Sequence, residues 1–191
     1  MKLTYLMACL CLFLTFSNAQ NANTEIIQDF IDNFNNRDST ATLNSLHKKF
    51  SEYWQSSLIY KNKKEYSKYL SWGTVMNEHE DIEIIKTTGN KVVVHSTHYS
   101  DLDKSLGKMP YKSKKTFIIS KGKIIKIVST KYKGYDIYQN KRKYAFIKFK
   151  NWLSKKYKLR RSDFKMNRKD ALKLKKIIFE YMAQEKIVDS N

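Results

Sequence analysis

Between Asp81 and Tyr132 apolar residues gather in four short runs separated by polar turns, in the segments DIEIIKTTGNKVVVHSTHYS and YKSKKTFIISKGKIIKIVSTKY. The runs are rich in Ile, Val and Thr, which suit a pleated, half-buried surface, so they predict two β-hairpins in series. Gly89-Asn90 and Lys121-Gly122 mark the turns, where φ > 0 must be tolerated. Pairing Thr88 with Lys91 puts Ile85 on the side of Val94. Pairing Ser120 with Lys123 puts Ile118 beside Ile125 and Thr116 beside Ile127. Alternation is incomplete, because Ile84-Ile85, Val92-Val93-Val94 and Ile118-Ile119 are apolar on both faces. A sheet with one open face alternates more cleanly, so this sheet is expected to be covered on both sides, at least in its middle.

Upstream the period lengthens to that of a helix. Ile27, Phe30, Ile31 and Phe34 predict an amphipathic helix over Thr24–Asn36. Asn23 or Thr24 would cap it, and Glu25 and Asp29 favour its positive end. Ser39 would cap a second short helix carrying Leu43, Leu46 and Phe50. The piece SEYWQSSLIY reads as a strand with flanking loop. Asn62, with Glu65 three residues on, has the form of a capping box and opens a third helix. Its apolar face is Tyr66, Tyr69, Leu70 and Met76, and Gly73 marks a place of close approach.

Downstream the helical period returns on a basic background. Phe146, Phe149, Leu153 and Tyr157 predict a helix over Tyr144–Tyr157, with Trp152 beside them. Asn167, with Asp170, would start another, carrying Ala171, Leu174, Ile178 and Tyr181. Of the formal net charge of +19, residues Asn140–Asn191 hold 17 basic and 5 acidic side chains, a net of +12. The densest patch contains Lys155, Lys156, Lys158, Arg160 and Arg161. Basic residues interleaved with aromatics suit a polyanion, be it nucleic acid, an anionic surface or an acidic glycan. The plainer alternative is that both helices dock on the convex face of the sheet and their lysines are solvated.

The N-terminus is of another kind. Lys2, the apolar stretch Leu6–Phe16 and the small residues Ser17-Asn18-Ala19 predict a signal peptide cleaved near Ala19. The apolar stretch is about a dozen residues, short of the roughly 20 that span a bilayer. Cleavage would remove Cys9 and Cys11, the only cysteines, and with them any disulfide. The expected organisation is a signal peptide over 1–19, an α+β domain over 20–139 and a basic helical extension over 140–191. An exported product, periplasmic or secreted, makes genomic DNA an ill-suited target.

The order of two helices, a short strand, a third helix and long antiparallel strands resembles the NTF2-like superfamily, which includes the SnoaL-like proteins. The resemblance covers roughly residues 24–136. Helix 24–36 ending in Asn36-Arg37-Asp38, helix 62–76 and the turns at Gly89-Asn90 and Lys121-Gly122-Lys123 carry it. It implies an α+β cone in which a curved antiparallel sheet and N-terminal helices enclose a pocket, with the basic helices as an addition. It also implies a mainly apolar ligand site and, in many members, a homodimer. Enzymatic members of the ketosteroid isomerase kind use a carboxylate base in that pocket, yet strands 91–99 and 114–130 contain no Asp or Glu. Epoxide hydrolase-like members use an Asp-Arg-Asp cluster, yet Arg37 is the only arginine before residue 140.

The remaining acid–base candidates are His98 and Tyr99, since His95 points to the other face from His98. A hydrogen-bonded sheet histidine is the plainer alternative. Trp54, Trp72 and Met76, with His98, are the candidate pocket lining; plain core packing is the alternative for the first three. Asp101 and Asp103 lack the further oxygens of a cation site, and no metal site or cofactor is expected. The leading functional reading is an exported domain that binds a small, largely apolar molecule without catalysis. One alternative is a SnoaL-like isomerase or hydrolase using His98 or Tyr99. Another is an interaction module acting through the basic helices.

Overall fold

The computed structural model describes residues 21–188. The expected signal segment, its cleavage point and both cysteines lie outside the described residues.

Helix α1 spans residues 21–35 and α2 Ser39–Asn44. Strands β1 (Leu46–Trp54) and β2 (Ser57–Tyr60) follow, then α3 (Lys63–Val75). Strands β3 (His79–Thr88) and β4 (Lys91–Tyr99) form the first long hairpin, and a short α4 (Asp101–Ser105) leads into the second, β5 (Tyr111–Ser120) and β6 (Lys123–Thr130). The described residues end in α5 (Tyr135–Tyr157), a 3-10 turn (Arg161–Asp163) and α6 (Arg168–Val188). Helix α5 thus begins nine residues ahead of the expected helix at Tyr144.

The six strands form one open sheet in the order β2-β1-β6-β5-β4-β3. The sheet is mixed, because β1 runs parallel to β6 while every other neighbour is antiparallel. Both hairpin turns lie where the sequence puts them, with Thr88 opposite Lys91 and Ser120 opposite Lys123. Lys121 and Gly122 both take positive φ, as a type I′ turn requires. At the other turn only Gly89 does, and Asn90 instead exchanges hydrogen bonds with the backbone of Ile119. The register then departs from the simple count. An extra residue at Ile85 leaves Ile84 opposite Val94, and one at Ile125 leaves Thr116 opposite Val128 and Phe117 opposite Ile127. Both are β-bulges, each absorbing one residue and bending its strand.

Helix α1 buries Ile27, Phe30, Ile31 and Phe34 on the concave face against Val92, Phe117, Ile124 and Ile127. It begins ahead of the expected caps. Asn23 donates to Gly89 O at 2.9 Å, and Thr24 meets Thr87 hydroxyl to hydroxyl at 3.2 Å, so both fasten α1 to the first long hairpin. Asp38, not Ser39, caps α2 by accepting from Ala41 N at 2.8 Å. Leu46 and Phe50 belong to β1, not to α2. A spacing of four satisfies the helical and the strand period alike, which is why the two readings coincide there. The Asn62 cap and Glu65 partner of α3 are as expected: Glu65 N donates to Asn62 Oδ1 at 3.0 Å, and Lys61 N to Glu65 Oε2 at 2.9 Å.

The extension does not cover the convex face. Phe149, Leu153, Phe164, Ala171, Leu174, Ile177, Ile178 and Tyr181 pack on the outer side of α3, at Trp72, Val75 and Met76, and on Leu106 after α4. The far face of the sheet is only half-buried at Val93, Thr116, Ile118 and Val128, and Ile85 is exposed. Helix α3 thus stands between two cores, giving Tyr66 and Leu70 to one and Trp72, Val75 and Met76 to the other.

Candidate functional site

The concave face changes character along its length. Under α1 it is apolar. Toward the ends of β4 and β6 nearest β1 and α3, the in-phase positions become Ser96, His98, Ser113, Lys115, Ser129 and Glu52. Here lies a cavity of about 270 Å³, lined by Glu52, Tyr53, Trp54, Ile59, Tyr60, Tyr69, His98, Tyr111, Lys115 and Ser129. Its walls are aromatic and its floor is ionisable.

Two carboxylates that contact the floor side chains are engaged. Glu80 receives Lys115 Nζ at 2.6 Å on each oxygen and the Ser96 hydroxyl at 2.7 Å. Its backbone is clamped by Asn35 at the end of α1, which donates to Glu80 O and accepts from Glu80 N. Burial pushes the Glu80 carboxyl up, but Lys115, with His98 and Ser96, outweighs it, so the group titrates below its usual range. Glu78 accepts from Trp72 Nε1 at 3.0 Å and lies 3.3 Å from His98 Nε2, which also faces the Tyr69 hydroxyl at 3.3 Å. Gly73 permits this approach, since a Cβ there would stand 3.2 Å from Glu78 Oε2.

Glu52 differs. Among the described residues its carboxylate accepts no hydrogen bond, although its backbone is paired in the sheet. Burial raises its carboxyl, Lys115 lowers it and the Glu80 charge raises it again, to about 7. A carboxyl poised there can hold or release a proton near neutrality. Around it, burial first of all holds the phenols of Tyr60, Tyr69 and Tyr111 above their ordinary range, so they remain hydroxyl donors.

The candidates read from the sequence fall in several places. His98 and Trp54 line the cavity. Tyr99 is on the opposite face, stacked on His79 at a ring distance of 4.5 Å, beside a different groove. Trp72 and Met76 are buried in the second core and do not line this cavity; Trp72 reaches it only through Glu78. Arg37 accepts a structural role, with NH1 donating to Phe34 O and Asn35 O and NH2 to Asn77 Oδ1. Asp101 pairs with Lys175 at 2.8 Å, and Asp103 with Lys108 and Arg142.

The basic set divides as well. Lys156 is paired with Glu180. Arg161 is half-buried, its guanidinium 4.8 Å from the Trp72 ring centre and donating to Phe164 O. Lys155, Lys158 and Arg160 are exposed. Arg161, Trp72, Glu78 and His98 therefore form a contact chain from the extension to the cavity, and Tyr135 at the start of α5 stacks near Trp54 at its rim, 5.4 Å between ring centres.

Glu52, Glu78, Glu80 and Lys115 were not singled out by the sequence. A signal existed: in the alternation His79-Glu80-Asp81-Ile82 the glutamate is in phase with Ile82, and Lys115 is in phase with Phe117 and Ile119. A charge on the apolar phase of a strand is placed where a cavity must receive it.

No family model matches this chain, and no curated protein matches it. Among solved structures it is similar to an LEH-like epoxide hydrolase from M. tuberculosis, at 11% identity and a TM-score of 0.50, over 68% of this chain and 96% of that one. A protein assigned as a polyketide cyclase from Xanthomonas campestris pv. campestris aligns at 16% identity and a TM-score of 0.48, over 63% and 98% of the two chains. An NTF2-like protein of unknown function from Cytophaga hutchinsonii aligns at 15% identity and a TM-score of 0.46, over 56% and 87%. Identities this low speak to architecture alone. Strand order, helices over the concave face and the first of these likenesses agree: the chain has the NTF2-like α+β fold.

Proposed function

We propose that this chain binds a small, largely apolar molecule carrying one oxygen function, and that Glu52 exchanges a proton with it. The observation that carries the reading is the contrast among three carboxylates. Glu78 and Glu80 are each held by hydrogen bonds, while Glu52 faces the cavity with its acceptors open. Aromatic walls at Trp54, Tyr60, Tyr69 and Tyr111 supply apolar burial, and few polar groups fix orientation, as in small-molecule sites generally. Lys115 stands close enough to lower the Glu52 carboxyl, and so would favour an oxygen anion in the same place. This extends the leading sequence-based reading, simple binding, toward acid–base chemistry, with Glu52 rather than His98 or Tyr99 as the exchanging group. His98, tied to Glu78 and Tyr69, has a positioning role.

Ligand-observed NMR with a panel of aromatic alcohols, ketones and phenols tests it. Bound members should be lost on Trp54→Ala. Their affinity should change through pH 7 in the parent and stay level in Glu52→Gln. Binding that survives both substitutions, with the parent's pH profile, overturns the proposal.

A further inference from the structure

Helix α5 turns one side inward. Tyr138 donates to Pro110 O, Arg142 to Met109 O and Asp103, and Phe149 and Leu153 are buried in the second core. The opposite side is a stripe at alternating spacings of four and three: Ile137, Lys141, Tyr144, Lys148, Asn151, Lys155. All six are exposed. Ile137 and Tyr144 are 70% and 74% exposed, and Ile147 beside them is 38% exposed. Between Ile137 and Arg161 there are ten basic residues and no acidic one. Eighteen helical steps from Ile137 to Lys155 make the stripe roughly 27 Å long.

Solvated lysines alone would need no explanation. Three large apolar side chains on the same strip do, because no described residue covers them. We propose that the outer side of α5 is a peripheral membrane-binding surface for anionic lipid. The charge is complementary to acidic headgroups, and each lysine near such a surface adds attraction. The exposed Ile and Tyr side chains enter the boundary between headgroup and acyl chain, where an apolar body with a polar tip is favoured. Every cation on the six-residue stripe is a lysine, a point charge suited to a diffuse layer of headgroups rather than the forked guanidinium of phosphate recognition. A nucleic acid or glycan would use the lysines and leave Ile137 and Ile147 without reward. No described helix is long and apolar enough to cross a membrane, so the helix lies on the surface. The sequence-derived basic cluster thus shifts toward the N-terminal end of α5: Lys155 stays in it, Lys156 and Arg161 are structural, and Lys141 and Lys148 join.

Co-sedimentation with vesicles of phosphatidylcholine, with and without phosphatidylglycerol, tests this at low and high salt. The parent should bind only the phosphatidylglycerol vesicles. Replacing Lys141, Lys148 and Lys155 by Gln should lower partitioning at low salt about 100-fold. Replacing Ile137, Tyr144 and Ile147 by Ser should keep low-salt binding and abolish what persists at high salt. Both variants should melt like the parent, since the side chains are exposed. Equal binding to both vesicle types overturns the proposal. So does parent-like partitioning of the Gln variant at low salt or of the Ser variant at high salt. Heparin binding with no vesicle binding assigns the lysines to a soluble polyanion and overturns it too.

Discussion

Lys115 stands on β5 with Glu80 two strands away on one side and Glu52 two strands away on the other, and its ammonium is committed to Glu80. The consequence is measurable as linkage. An unfolded Glu52 titrates near 4.5 and the folded one near 7. Between those values the folded state binds more protons, so this group removes stability as pH rises from 4.5 to 7. The loss amounts to about 3 kcal/mol and is level above. Glu52→Gln is expected to erase that slope, gaining on the parent from pH 4 to pH 8 in urea unfolding; parallel curves would contradict the burial of this carboxyl. Glu80 has the opposite sign: its lowered carboxyl contributes stability above the unfolded value that is lost as pH falls through the folded one. Lys115→Met should cost about 3–5 kcal/mol, because it strands a buried charge. Glu80→Gln in that background should recover part of the loss. These residues were hidden from sequence reasoning for a specific reason. Glu52 sits on a strand whose start also fits a helical period, and Glu78 and Glu80 lie at the junction of α3 and β3, away from the central strands.

Elements were easier to read than their registers. The turns at Gly89 and Gly122 need positive φ, and glycine announces that in any context. The bulges at Ile85 and Ile125 add one isoleucine to runs that are already apolar, so nothing in the letters marks them. Helices α1 and α3 were legible because a stripe of four aromatic or aliphatic residues has one explanation. The docking of α5 and α6 was not, because amphipathic stripes tell which face is buried and not against what. Two core substitutions probe the two layers. Phe34→Ala, under α1, and Phe149→Ala, under α3, should each cost about 3–5 kcal/mol in chemical denaturation. Losses below about 1 kcal/mol would mean that the helix concerned is not packed as described.

At the scale of the molecule α3 makes the two cores one body. Trp54 reports on the cavity and Trp152 on the extension, so variants retaining a single tryptophan can follow each. Their unfolding transitions are expected to coincide, as two-state behaviour demands; separate midpoints would show the extension to be an independent unit. The chain from Arg161 through Trp72 and Glu78 to His98 points the same way. Arg161→Ala should weaken ligand binding in the cavity although Arg161 does not line it, with Lys155→Ala as the silent comparison.

The parallel pairing of β1 with β6 has a bearing on how the chain reaches this state. Both long hairpins pair residues that are near in sequence, His79 with Tyr99 and Lys114 with Thr130 at the widest. The β1–β6 ladder joins Glu52 to Ile127 and Trp54 to Ser129, across α3 and all four long strands. Closing so long a loop costs entropy before any contact offsets it, and topologies of this kind fold slowly. The meander β3–β6 is therefore expected to assemble first, with β1 and β2 arriving last. In stopped-flow experiments Ile119→Val, near the second turn, should slow folding. Leu46→Ala, at the β1 margin, should chiefly speed unfolding. The cavity lies on that last seam, with Glu52 on one side of it and Lys115 on the other, so its assembly is a late event in folding.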